Sequence, residues 1–121
     1  MAQHNELGQQ GEAIAKEFLL QKGYKILEKN WRYRRAEIDL IAKESETLIF
    51  VEVKTRSTDF FGQPEDAVTV KKEALMTEAA IAYMRQTNHE WAVRFDIIGI
   101  TITSKDQYKV QHIEDAFFAG F

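Results

Sequence analysis

Residues 48–55, Leu48-Ile49-Phe50-Val51-Glu52-Val53-Lys54-Thr55, are among the most apolar and β-branched stretches of the chain. Such a run reads as a strand in the interior of a sheet. It nevertheless carries a carboxylate and an ammonium at alternate positions, Glu52 and Lys54. Side chains alternate between the faces of a strand, so both charges fall on one face, behind Phe50 and Leu48. A buried strand that ends this way poses the question of fold and of function together.

Working outward, Glu37 to Ala42 and Thr47 to Thr55 read as a hairpin joined by the polar Lys43-Glu44-Ser45-Glu46. Tyr24 to Tyr33 reads as a first strand. Leu7, Gly11, Ile14, Ala15, Phe18 and Leu19 recur at helical spacing, with Asn5 as N-cap and Gly23 as C-terminal stop. Ser57 to Pro64 reads as a loop. Thr69 to about Gln86 reads as a second helix, burying Leu75, Met76, Ala79, Ala80, Ala82 and Tyr83. Trp91 to Ile102 predicts a long strand, Tyr108 to Ile113 its hairpin partner, and Glu114 to Phe118 a closing turn of helix. The order α-β-β-β-α-β-β implies an α/β fold, a three-layer α/β/α sandwich around a mixed sheet. With 121 residues and neither repeat nor linker, one domain over 1–121 is expected.

Composition narrows the chemistry. The absence of cysteine rules out disulfides and thiolate metal sites. The N-terminal MAQHNELGQQGEAIAKEF lacks the basic-then-apolar order of a signal peptide. No apolar run approaches the roughly 20 residues that span a bilayer. A cytoplasmic protein with no membrane partner is the expectation. The net charge of −3 offers nucleic acid no global attraction, so such binding must rest on a local basic patch.

On the expected hairpin, Glu37 and Asp39 share a face, opposite Ile38 and Leu40. Directly opposed residues on paired strands come within about 5 Å at Cβ. Asp39 and Glu52 therefore converge, with Lys54 beside them. Carboxylates that close repel unless a positive charge lies between them. An all-oxygen site selects a hard cation, Mg²⁺ or Mn²⁺, which keeps waters and leaves room for a substrate phosphate. Lys54 would then act on an attacking water or offset charge on the phosphate. The competing reading is a solvated strand face with a weak Glu52–Lys54 salt bridge. Against it stand the apolar flanks, the matching Asp39 and the basic residues nearby.

Those basic residues are Arg32, Arg34 and Arg35 in a run with Trp31 and Tyr33, then Arg56, Lys71 and Lys72. Alternation places Arg32 and Arg34 on one face and Trp31, Tyr33 and Arg35 on the other. The arginines suit phosphate contacts, while the aromatics read as core. His4, His89 and His112 lack ligand spacing and read as surface or structural. Gly8 and Gly11 lie within a helix, so no phosphate-cradling loop is indicated. Thr55 has no histidine placed to activate it. Arg94 and Asp96 share a face of the fourth strand and read as support for the sheet or for the site, the sheet first. Phe60 to Pro64 is either a loop over the site or a packed connection.

The segments GQQGEAIAKEFLLQKGYKILEKNWR, AEIDLIA, FVEVKTR, FGQPEDAV, RFDIIGI and HIEDAF follow, in order, a known pattern. They resemble the YraN-like family of small uncharacterised bacterial proteins. That family is similar to the restriction-endonuclease-like PD-(D/E)xK nuclease superfamily and to archaeal Holliday junction resolvases. The resemblance implies a restriction-endonuclease-like core in which Asp39 is the metal-binding aspartate and Glu52 and Lys54 form the (D/E)xK motif. Glu12 matches the acidic residue contributed by the first helix; it lies at the edge of that helix's buried stripe, where it can lean towards the sheet. The Val53 carbonyl would aid the ion. Ile38 stands where the superfamily pattern has proline, and Ala36 where the family usually has glycine. The activity implied is a metal-dependent endonuclease hydrolysing phosphodiester bonds in DNA, branched DNA included. The alternatives are a nucleic-acid-binding module that does not cleave and a structural protein with an internal salt bridge. A homodimer is left open.

Overall fold

The computed structural model describes residues 6–57, 68–104 and 106–117. Helix α1 (Glu6–Gln21) is followed by β1 (Lys25–Tyr33), β2 (Ala36–Glu44) and β3 (Thr47–Arg56). Then come α2 (Val70–Thr87), β4 (Val93–Ser104) and β5 (Gln107–Ile113). The order is the expected one. Five strands form one sheet in sequence order, β1-β2-β3-β4-β5. All neighbours are antiparallel except β3 and β4, which run parallel because α2 carries the chain from one to the other.

The alternation of β3 divides the core in two. Ile49, Val51 and Val53 pack with Ala15 and Leu19 of α1 and with Ile98 and Ile100 of β4. Leu48 and Phe50 pack with Met76, Ala79, Ala80 and Tyr83 of α2 and with Phe95. The helices therefore cover opposite faces, which makes the mixed sheet the middle of three layers. Trp31 and Tyr33 stack on one another and lie against the α2 cluster, as their apolar rings require. Each fully buried Leu, Ile or Phe here contributes roughly 1.5–3 kcal/mol.

Local signals set the helix ends. The Thr69 hydroxyl accepts from the Lys72 amide and caps α2, while Asn88 closes it in the left-handed conformation, φ 56°. Gly23, at φ +93°, ends the turn after α1 as expected. The Asn5 cap and most of the Ser57–Pro64 loop, Phe60 included, lie outside the described residues. One expectation fails: residues 114–117 form a turn and not a helix. The Ala116 amide donates to the Phe95 carbonyl at 2.7 Å and the Asp115 amide to Asp96 at 3.0 Å, so this segment is fastened to β4.

Candidate metal centre

The β2–β3 ladder runs from Glu44/Thr47 to Leu40/Val51 and stops. Just beyond it the Val53 amide donates to Asp39 Oδ2 at 2.7 Å. The carboxylate thus satisfies a strand amide that the ladder no longer pairs. The expected alternation does not survive here. Ile38 packs in the α2 cluster but Leu40 in the α1 cluster, so the two do not share a face. On β1, Asn30 lies between the pairs Lys29/Leu40 and Trp31/Ile38 and is left-handed, φ 51°. Asp39 is so brought to the end of β3, where it meets the Val53 amide.

Asp39 and Glu52 meet as expected, side by side in the lining of one cavity. Glu52 is buried, with 5% of its surface exposed. Burial is the main cause that pushes the Asp39 carboxyl up to about 8, and the charges of Glu52 and Glu12 add to it. The Val53 amide and Lys72 pull the other way. Burial also raises Glu52, against the attraction of Lys72 and, more weakly, Lys54. Two buried acids placed this close are short of positive charge.

Part of that charge comes from an unexpected place. The cation paired with Glu52 is Lys72, in the first turn of α2, and not Lys54. Lys54 is exposed at the end of β3. Glu12 lines the same cavity of about 330 Å³ as Asp39, Glu52, Val53, Lys54 and Thr55, and it accepts from Asn30 Nδ2 at 3.0 Å. Gly11 explains how α1 delivers it: a Cβ there would stand 1.7 Å from Thr55 Oγ1, so only glycine lets the helix cross β3 so closely. Among the described residues no three His, Cys, Asp or Glu side chains form a closed metal cluster. The donor set still suits a hard cation. Asp39, Glu52 and the Val53 carbonyl could supply oxygens, and water or phosphate the remainder.

A second cavity of about 300 Å³ adjoins, lined by Arg35, Glu37, Asp39, Glu52, Thr69, Lys71 and Lys72. Three of the six expected phosphate-binding residues, Arg35, Lys71 and Lys72, therefore reach the site. The others do not line it. Arg32 pairs with Glu37 at 3.8 Å, and Arg34 lies over the Tyr33 ring in the turn after β1. That turn also removes the expected alternation of Arg34 and Arg35, because β1 ends at Tyr33. Arg56, half-buried, ends β3 beside Thr101.

The pairing of Lys72 with Glu52 and that of Asn30 with Glu12 escaped the sequence reading. One signal was available for the first. Lys71 and Lys72 sit in the first turn of a helix, where the macrodipole disfavours cations unless an anion faces them.

Arg94 and Asp96 do support the sheet. Asp96 is fully buried, held by the Arg94 guanidinium at 2.8 and 2.9 Å and by His112 Nε2 at 2.7 Å. Burial opposes its ionisation, but these bonds and the Asp115 amide outweigh that and hold the carboxyl below its usual range. Lys22 Nζ meets His112 Nδ1 at 2.9 Å; lysine can only donate, so Nε2 carries the proton towards Asp96. His112 is structural, as expected. His89 packs edge-on against Trp91, and His4 lies outside the described residues.

Residues 11–100, which contain every carboxylate and lysine of this centre, match the model of an uncharacterised protein family, UPF0102. The chain is 51% identical over 118 residues to a UPF0102 protein of Christiangramia forsetii, covering 98% of each. It is 45% identical over 118 residues to one of Flavobacterium psychrophilum, again covering 98% of each. A UPF0102 protein of Rhodococcus opacus is 41% identical over 118 residues, covering 97% of this chain and 100% of the relative. No described helix is long and apolar enough to cross a membrane.

Proposed function

The chain belongs to the uncharacterised protein family UPF0102, and for this member we propose a metal-dependent endonuclease that hydrolyses DNA phosphodiester bonds, branched DNA included. The observation that carries the proposal is the meeting of the Asp39 and Glu52 carboxyls at the point where β2 leaves β3. Burying one acid beside another costs stability, and a fold keeps such a pair where the charge has work to do.

Asp39 and Glu52 would hold Mg²⁺ or Mn²⁺, with the Val53 carbonyl as a further donor. When bound, the ion would supply Lewis-acid stabilisation of the phosphate and a more acidic water. The remaining chemistry belongs to the chain. Lys54, exposed beside the carboxylates, would hold an attacking water or meet charge that develops on the phosphate. Glu12 is kept at the rim by Asn30, from where it can orient water. Arg35 and Lys71 line the adjoining cavity and would fix the flanking phosphates.

The test is incubation with linear, single-stranded and four-way-junction DNA, with and without Mg²⁺ or Mn²⁺. Metal-dependent cleavage that disappears in Asp39→Ala is expected. A second reading, a nucleic-acid-binding module that does not cleave, is favoured by the Lys72–Glu52 ion pair, which balances Glu52 without a metal. DNA binding that is unaffected by divalent ions, with no cleavage, would select it.

A further inference from the structure

Lys72 is tied to the protein at both ends. Its amide donates to the Thr69 hydroxyl at 3.1 Å, which fixes its backbone at the start of α2. Its ammonium pairs with Glu52 and also attracts Asp39. Yet its side chain is 40% exposed, against 7% for that of Glu52. The ammonium therefore stands at Glu52 where a cation would, at the end of a long, partly exposed stem.

We propose that Lys72 is a resident counter-ion that a divalent cation displaces from the carboxylate pair, and that the displaced ammonium then binds a nucleic-acid phosphate. This rests on the metal-dependent reading above. An ammonium and a divalent ion cannot share the same carboxylates without strong repulsion. The backbone of Lys72 is fixed by Thr69 and its ammonium by Glu52 alone, so loss of that pair frees the ammonium while α2 stays in place. The adjoining cavity already presents Arg35, Thr69 and Lys71, and Lys72 lines it too. A third cation released there adds a phosphate contact that does not exist while Glu52 holds it. Metal and nucleic acid thereby assist one another's binding through a single side chain, and such coupling is reciprocal. The arrangement also protects the metal-free protein, since Glu52 never lies buried without a partner.

The experiment compares the wild type with Lys72→Met and Lys72→Gln. Mn²⁺ affinity is read by calorimetry without DNA, and affinity for phosphorothioate DNA with and without Mn²⁺. Both variants should bind Mn²⁺ more tightly than the wild type, on the order of tenfold, a typical coupling between sites. Any loss of DNA affinity in the variants should be larger with Mn²⁺ than without it, because only the metal releases the wild-type ammonium to phosphate. Lys72→Gln keeps a hydrogen-bonding end for Glu52 if Lys72→Met fails to fold, and circular dichroism confirms that folded proteins are compared. Equal or weaker Mn²⁺ binding by the variants overturns the inference and leaves the metal reading standing. A loss of DNA affinity that is the same with and without Mn²⁺ makes Lys72 an ordinary phosphate contact and also overturns it. If the wild type binds no Mn²⁺, the metal reading falls and the inference with it.

Discussion

Asp39 and Lys54 behave differently as single residues, and each difference can be measured. Asp39 has a carboxyl raised by burial and by Glu52 to about 8. The folded protein then keeps a proton that the unfolded chain releases near the ordinary carboxylate value of about 4. Stability without metal is fully present below that value and falls as pH rises towards 8. Thermal melting in chelator should show this decline, and Asp39→Asn should flatten it; a wild-type profile that is flat from pH 5 to 8 contradicts the buried pair. Lys54 is exposed, and Glu52 takes its ion pair from Lys72. Lys54→Ala should therefore leave stability within about 0.5 kcal/mol. Cleavage should drop on the order of 10² or more, as for one positioned acid-base or electrostatic group. A variant that melts much earlier and cleaves normally would make Lys54 structural. Asp39 and Glu52 were legible because the hairpin register that pairs Leu40 with Val51 sets them side by side, and Lys54 because it follows Glu52 on the same strand. Lys72 was not, because its partner lies 20 residues away on another element and no local pattern records that contact.

Elements meet at two places that decide whether the site exists. One is the crossing of α1 over β3 at Gly11 and Thr55. Alanine in place of glycine inside a helix normally stabilises by up to about 1 kcal/mol. Here the added Cβ would meet the Thr55 side chain at 1.7 to 2.7 Å, so Gly11→Ala should instead cost roughly 1–3 kcal/mol. Denaturant unfolding decides by sign alone, since a gain would show that the crossing has slack. The other place is the buried network that fastens β4 to β5 and to the closing turn. Asp96→Ala would strand Arg94, whose side chain is only 18% exposed, and should cost about 3–5 kcal/mol. Element order was legible because each strand and helix carries its own apolar period. The final turn was misread as helix because its amides are claimed by Asp96 and Phe95, long-range partners that a helical pattern does not reveal. The break of alternation at Asp39 was hidden for a similar reason. It depends on Asn30 taking a left-handed conformation in the neighbouring strand.

For the molecule as a whole, a net charge of −3 makes position matter more than number of cations. The sequence groups Arg32, Arg34 and Arg35 as one basic run, but the fold separates them. Arg32 is drawn to Glu37 and Arg34 lies over Tyr33, while Arg35 faces the cavity beside Lys71 and the carboxylates. A phosphate backbone that enters this cavity should release counter-ions through Arg35 and Lys71 only. Each lost contact lowers the slope of log affinity against log salt by roughly 0.9 on duplex DNA and 0.7 on single strands. Arg35→Ala and Lys71→Ala should each flatten the slope by about that amount, and the double variant by about twice it. Arg32→Ala and Arg34→Ala should leave it unchanged, although Arg32→Ala also removes the ion pair that Arg32 makes with Glu37, which lines both cavities. Fluorescence anisotropy over a salt series, in the absence of divalent ions, makes the comparison. If Arg32→Ala and Arg34→Ala flatten the slope while Lys71→Ala does not, DNA lies across the β1–β2 turn and not in the cavity. The carboxylates would then be too far from the backbone they are proposed to serve.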